Sequence, residues 1–230
     1  MSVDTLLEWY SLASDAEREA GTAWYRDARA CAEYVARIGG HPVTVGAAVL
    51  AVLSPQSHWA DNKRAAITVA LAHRDRAPMP ESLAGVYGTN IRKAWSILDA
   101  GAAEVCDGTR VRADGRAIRC SPKRHGCRAH VHGPKVAEFY RTILGDLDGR
   151  VLDVWAVRAA TVRPREVPSL HAADARRRGL PGERWAELQT AYLDAAAVVE
   201  VEPAHFQATV WLVIRRAWLR ADGRRNGKRD

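Results

Sequence analysis

Asp153 is the acidic side chain whose setting most invites chemistry. It closes the short apolar run Val151-Leu152 and precedes Val154-Trp155-Ala156-Val157-Arg158, a helical pattern. A carboxylate there caps the helix it precedes on the simplest reading, and its spacing from a lysine is what raises the alternative of a site. Lys135 lies 18 residues upstream, within Gly133-Pro134-Lys135-Val136-Ala137. Pro134 suits a first helical turn, where its missing N–H has no intrahelical partner. Gly133 lets the backbone come close to a ligand, and the free N–H groups of a helix start bind phosphate; plain capping is the alternative. The 18 residues suffice for one helix and a turn that brings the second helix start back toward the first.

Two further groups of polar residues stand out. Gln56, Asn62 and Lys63 lie in Leu53-Ser54-Pro55-Gln56 and the stretch after it, between two apolar helical patterns. They read as a short exposed turn, or as no more than a Pro-broken loop. Cys120, Cys127, His130 and His132 form C-x6-C-x2-H-x-H, a donor set chemically able to bind structural zinc. The spacing matches no compact finger and Cys106 is remote in sequence, so a basic loop is expected there and no resident cofactor. Trp59 and Trp155 stand in the motif segments, where they would stack on a base or pack in the core. Trp211 and Trp218, seven apart on one helical face, read as core.

The elements that must position these residues are helices. Residues 3–38 read as two, the second ended by Gly39-Gly40 and Pro42. Thr44 is expected to cap a buried helix through VGAAVLAVL that stops near Ser54-Pro55, and helices follow at about 61–73 and 89–100. Residues 101–131 lose apolar periodicity and read as a long basic loop with a small hairpin around Ala113-Asp114-Gly115-Arg116. Helices resume at 134–144, 153–161, 181–197 and 203–220. The expected fold is mainly α, with two helical lobes around a cleft: residues 45–155 in one, residues 1–44 and 156–220 in the other, and a basic tail over 221–230.

Composition narrows the function classes. Hydrophobic residues make up 47% and charged residues 27%, the profile of a globular chain. The longest apolar stretch, Val45 to Leu53, is nine residues, against the roughly 20 that a membrane helix needs. The start, MSVDTLLEWY, lacks a signal-peptide pattern, and four irregularly spaced cysteines read as reduced thiols. A cytoplasmic monomer with no membrane partner is the expectation. Net charge is +7, and segment 109–135 has eight bases less one acid, Asp114, which is +7 on its own. Arg116, Arg119, Lys123 and Arg124 stand in that segment, and concentrated positive charge suits a polyanionic partner.

Taken in order, these segments resemble the helix-hairpin-helix DNA glycosylase superfamily, which includes endonuclease III and the oxoguanine glycosylases. Leu53-Ser54-Pro55-Gln56 is similar to the L-S-x-Q that ends an apolar helix there, and Asn62-Lys63-Arg64-Ala65 to the N-K-x-A of the next helix. Gly133-Pro134-Lys135-Val136-Ala137 resembles the hairpin G-x-K-x-A. Leu152-Asp153-Val154-Trp155 resembles the V-D-x-H that follows one helix later, and Arg158 falls where a helical Arg is common. The resemblance covers about residues 45–160. It departs in four ways: Val131 replaces the hairpin's first Gly, a basic insertion of about 30 residues precedes the hairpin, Trp155 replaces the His, and the four-cysteine iron–sulfur motif is absent. The D-x-W-A segment and HFQATVWLVIRRAW also resemble short bacteriophage-encoded members, some regarded as base modifiers.

The resemblance implies a DNA-binding enzyme, acting on double- or single-stranded DNA, that flips a base into a pocket and works at the N-glycosidic bond. Gly133 and its neighbours would hold a phosphate, Gln56 would enter the gap left by the base, and Asp153 would stabilise charge at C1′. Lys135 is the implied second catalytic residue, attacking C1′ in a lyase variant if its amine is neutral. Asn62, Lys63, His132, Trp155 and Arg158 would face DNA, as would Arg116, Arg119, Lys123 and Arg124. The alternatives on the same scaffold are a base-modifying transferase and a non-catalytic DNA-binding module.

Overall fold

Helical periodicity dominates the chain, and the fold follows it. In the computed structural model, residues 2–111, 116–120, 128–169 and 184–226 are described. The order is α1 (Val3–Ser11), α2 (Asp15–Gly39), α3 (Val43–Leu53), α4 (Trp59–Arg74), α5 (Gly88–Ala100), β1 (Val105–Cys106), β2 (Thr109–Val111), β3 (Ala117–Arg119) and β4 (Val131–His132). There follow α6 (Pro134–Ile143), α7 (Val154–Thr161), a 3-10 helix (Pro164–Ser169), α8 (Trp185–Val198) and α9 (Pro203–Asn226). The protein is mainly α. Among the described residues no single helix is long and apolar enough to cross a membrane.

The chain divides into two compact units, Arg26–Asp146 and Met1–Tyr25 with Leu147–Asp230. In the first, α3 is the axis: every residue from Val45 to Leu53 is buried, because α4, α5 and α6 all pack against it. α2 and α3 meet at a bend of 112°. Their close approach needs Gly46, where an added Cβ would lie 2.0 Å from the Ala32 carbonyl oxygen. α2 stops sharply because Gly40 takes a left-handed conformation (φ 70°), letting the His41 N–H donate to the Ala36 carbonyl (2.9 Å). Pro42, in extended conformation, is the N-cap of α3. The expected cap, Thr44, lies inside the first turn and is exposed, since Pro42 fixes an earlier start.

The insertion carries the little strand structure that is described. β2 and β3 form an antiparallel hairpin, Thr109 opposite Arg119 and Val111 opposite Ala117. The expected turn residues Ala113, Asp114 and Gly115 lie outside the described residues. β1 and β4 pair in parallel, with Val105 opposite Val131 and Cys106 opposite His132. Two-residue strands leave no period-two pattern to read, so that pairing was not expected.

The second unit packs α1, α7, α8 and α9 around Leu6, Trp9, Leu152, Tyr192, Phe206 and Trp218. The Trp9 indole donates to the Val162 carbonyl (2.8 Å), and the Tyr25 hydroxyl to Gln207 Oε1 (2.7 Å). The units divide at 25/26 and 146/147, whereas the sequence reading sets boundaries at 44/45 and 155/156. The cause is packing: α2 beyond Arg26 serves the α3 core, whereas Leu152 and Ala156 are buried with the chain ends. Asp153 accordingly belongs to the unit that holds both termini.

Candidate functional site

Asp153 is the N-cap of α7, in extended conformation. Its Oδ1 accepts from the backbone N–H groups of Trp155 (2.8 Å) and Ala156 (3.0 Å). Its Oδ2 accepts from the Trp211 indole N–H of α9 (3.1 Å). A carboxylate is acceptor-only, and here both oxygens are engaged by three donors from two elements. Trp211 is held in turn by Trp24 (ring centroids 4.9 Å) and by the Arg215 guanidinium over its ring (4.3 Å). Tyr192 lies beneath: burial, then the Asp153 charge, pushes its phenol well above the ordinary tyrosine range. It therefore stays protonated and donates to the Ala156 carbonyl (3.2 Å).

Trp155 and Arg158 belong to the same element but not to one exposed face. Arg158 is buried, its guanidinium 4.4 Å from the Trp155 ring centre and 5.0 Å from that of Trp218. Those two rings meet edge to face at 5.8 Å. This corrects the expectation of a DNA-facing Arg158: the charge sits in an aromatic clamp, where cation–π attraction offsets the hydration it gives up. Trp155 forms one wall of that clamp and is half-buried.

In the unit Arg26–Asp146, Gly133 precedes α6 at φ 98°, and no side chain caps the helix. Lys135 donates from Nζ to Ser54 Oγ (3.0 Å) and stands 5.8 Å over the Phe139 ring. Ser54 Oγ donates onward to the Ala51 carbonyl (2.9 Å), so Lys135 ties the start of α6 to the end of α3. Gln56 is exposed at a left-handed φ of 61°, and the Tyr87 hydroxyl donates to its Oε1. Lys63 stands 5.5 Å over Trp59, which meets Phe139 edge to face at 6.2 Å. Asn62 is a correction: it is 1% exposed and donates from Nδ2 to the Leu50 carbonyl (3.1 Å). That carbonyl has no helical partner because the Ser54 N–H turns to Ala51 instead, so Asn62 caps the end of α3 and does not face a ligand.

Arg116 is exposed; Lys123, Arg124 and Cys127 lie outside the described residues, as does the side chain of Arg119. His132 is half-buried. Its ring nitrogen, Cys106 Sγ and Cys120 Sγ all lie within 4.8 Å of one another, so His132 faces two sulfurs. Cys106, remote in sequence, reaches this cluster through the β1–β4 pairing, and His130 is not part of it.

Sequence reasoning missed Trp211, Ser54 and Tyr87. Trp211 spaces with Trp218 as core would, and only an indole N–H needing an acceptor distinguishes it. Nothing local signals that Ser54 meets Lys135, 81 residues on.

The chain belongs to the DUF7178 family, a family of unknown function whose pattern matches residues 1–218. No curated protein and no solved structure matches it.

Proposed function

We propose that this chain is a DNA-directed enzyme that acts at the N-glycosidic bond of a flipped nucleotide, with Asp153 as the group that stabilises positive charge at the sugar. The observation that carries this reading is the hold on both oxygens of Asp153. Capping α7 requires only Oδ1. The Trp211 indole on Oδ2 fixes the plane of the carboxylate, and such preorganisation is what a developing cation rewards. A carboxylate with both oxygens already accepting suits electrostatic stabilisation better than proton transfer.

The α6 start supports the nucleic-acid side of the reading. Gly133 at positive φ, Pro134 at the first turn and an end without a side-chain cap are what a helix terminus that takes a phosphate needs. Gln56 is exposed and held at positive φ, a conformation that costs energy and recurs at functional positions. Lys135 is committed to Ser54, which favours hydrolysis over lyase chemistry.

The test is mass spectrometry of nucleosides and free bases after incubation with double- and single-stranded DNA carrying damaged, mismatched and hypermodified bases. The expected result is a free base and a matching abasic site. An altered nucleoside without a free base would move the reading to a transferase. Binding with no change in any substrate would reduce the protein to a DNA-binding module.

A further inference from the structure

We propose that Cys106, Cys120 and His132 form a zinc site that fastens the basic insertion to the start of α6. This stands independently of the reaction at Asp153, because the three residues all lie within Arg26–Asp146.

Three stretches well separated in sequence deliver one soft donor each, and the three ligand atoms lie within 4.8 Å of one another. Tetrahedral zinc, with sulfur at about 2.3 Å and nitrogen at about 2.0–2.1 Å, places its ligand atoms roughly 3.5–3.8 Å apart. Closing around the ion thus asks for shifts of about 1 Å, within reach of side-chain rotation.

The backbone around each donor is already tied down. Cys106 and His132 are partners in the β1–β4 register. The Gly133 N–H donates to the Cys106 carbonyl (2.9 Å), and the Cys120 N–H donates to the Gly108 carbonyl (2.7 Å). Cys120 is 6% exposed, a burial suited to an ion shielded from solvent. His130, two residues before His132, keeps an enclosed Nδ1 with no hydrogen-bond partner among the described residues. It lies outside the group of three, so the fourth position of the site falls to water or to a side chain that moves in on binding.

The energetic need is plain. Among the described residues of the insertion, the strand pairing is a two-residue parallel pair and a three-residue hairpin, and small structures of that kind need a staple. Each thiol gives up its proton on binding, so one Zn²⁺ releases two protons and the two thiolates cancel its charge. Because Gly133 follows His132 directly, the ion also fixes the entry into α6.

The test uses the full-length, reduced protein titrated with Co²⁺ and, separately, with Zn²⁺. One equivalent of Co²⁺ should give tetrahedral d–d bands and thiolate-to-cobalt charge transfer. Cys106→Ser and Cys120→Ser should each remove about half of the charge transfer or more, and His132→Ala should weaken binding at least about tenfold. Cys31→Ser, in α2, should leave the spectrum unchanged. In wild-type protein, Zn²⁺ should protect Cys106 and Cys120 from alkylation without altering Cys31, a readout that needs no variant to fold. Absence of charge transfer and of protection in the wild type would overturn the proposal. So would a Cys106–Cys120 disulfide that persists in place of metal, or a signal that disappears with Cys31.

Discussion

At Asp153 the two carboxylate oxygens meet different elements, and single substitutions separate what each does. Trp211→Phe keeps the ring against Trp24 and removes only the indole N–H to Oδ2. Product formation should fall about tenfold, the equivalent of one hydrogen bond worth roughly 1.4 kcal/mol, with little change in melting temperature. An unaltered rate in single-turnover assays would return Trp211 to ordinary packing. At Lys135 the bond to Ser54 Oγ predicts no borohydride-trapped adduct on abasic DNA; an adduct that Lys135→Gln abolishes would contradict it. Asn62→Ala should cost about 1–3 kcal/mol in urea unfolding, because it strips the buried Leu50 carbonyl of its donor. The position of Asp153 at the mouth of α7 was legible in sequence, since an apolar run and a helical pattern meet there. The buried roles of Asn62 and Arg158 were not, because their motif positions say nothing about which way each side chain turns.

Among the elements, helices with strong periodicity and clear stops were legible: Gly39-Gly40 ended α2, and Pro134 opened α6. The β1–β4 pair was not, because it joins residues 26 apart through only two positions each. Nor was the tightness of the α2–α3 crossing, since a glycine inside VTVGAAVLAVL reads equally as a weak spot in a helix. Gly46→Ala tests it. The new Cβ would meet backbone, the Ala32 oxygen at 2.0 Å and the Ala36 nitrogen at 3.0 Å, and backbone cannot rotate away. Although alanine favours helix, the variant should be destabilised by about 3 kcal/mol or more, seen as a lowered urea midpoint. A stabilised variant would mean that the two helices do not approach so closely.

Over the whole molecule, the charge pattern was legible before the fold: segment 109–135 alone carries +7. The unit boundaries were not legible, because they depend on which core a helix joins, and α2 spans the division at 25/26. Arg116 and Arg128 are exposed, and replacing both with Ala should reduce the salt dependence of DNA binding by about 0.9 log unit for each phosphate the protein no longer neutralises. An unchanged slope would show that this part of the insertion touches no phosphate. The central claim, that the Asp153 charge does chemistry, is tested most directly by Asp153→Asn. Its amide oxygen still caps α7, while its NH₂ group opposes the Trp211 N–H, so stability should drop by only about 1 kcal/mol. DNA affinity should hold or tighten slightly, and the single-turnover rate of base release should fall at least about 100-fold. A wild-type rate from the folded variant would contradict the account and leave Asp153 as a helix cap.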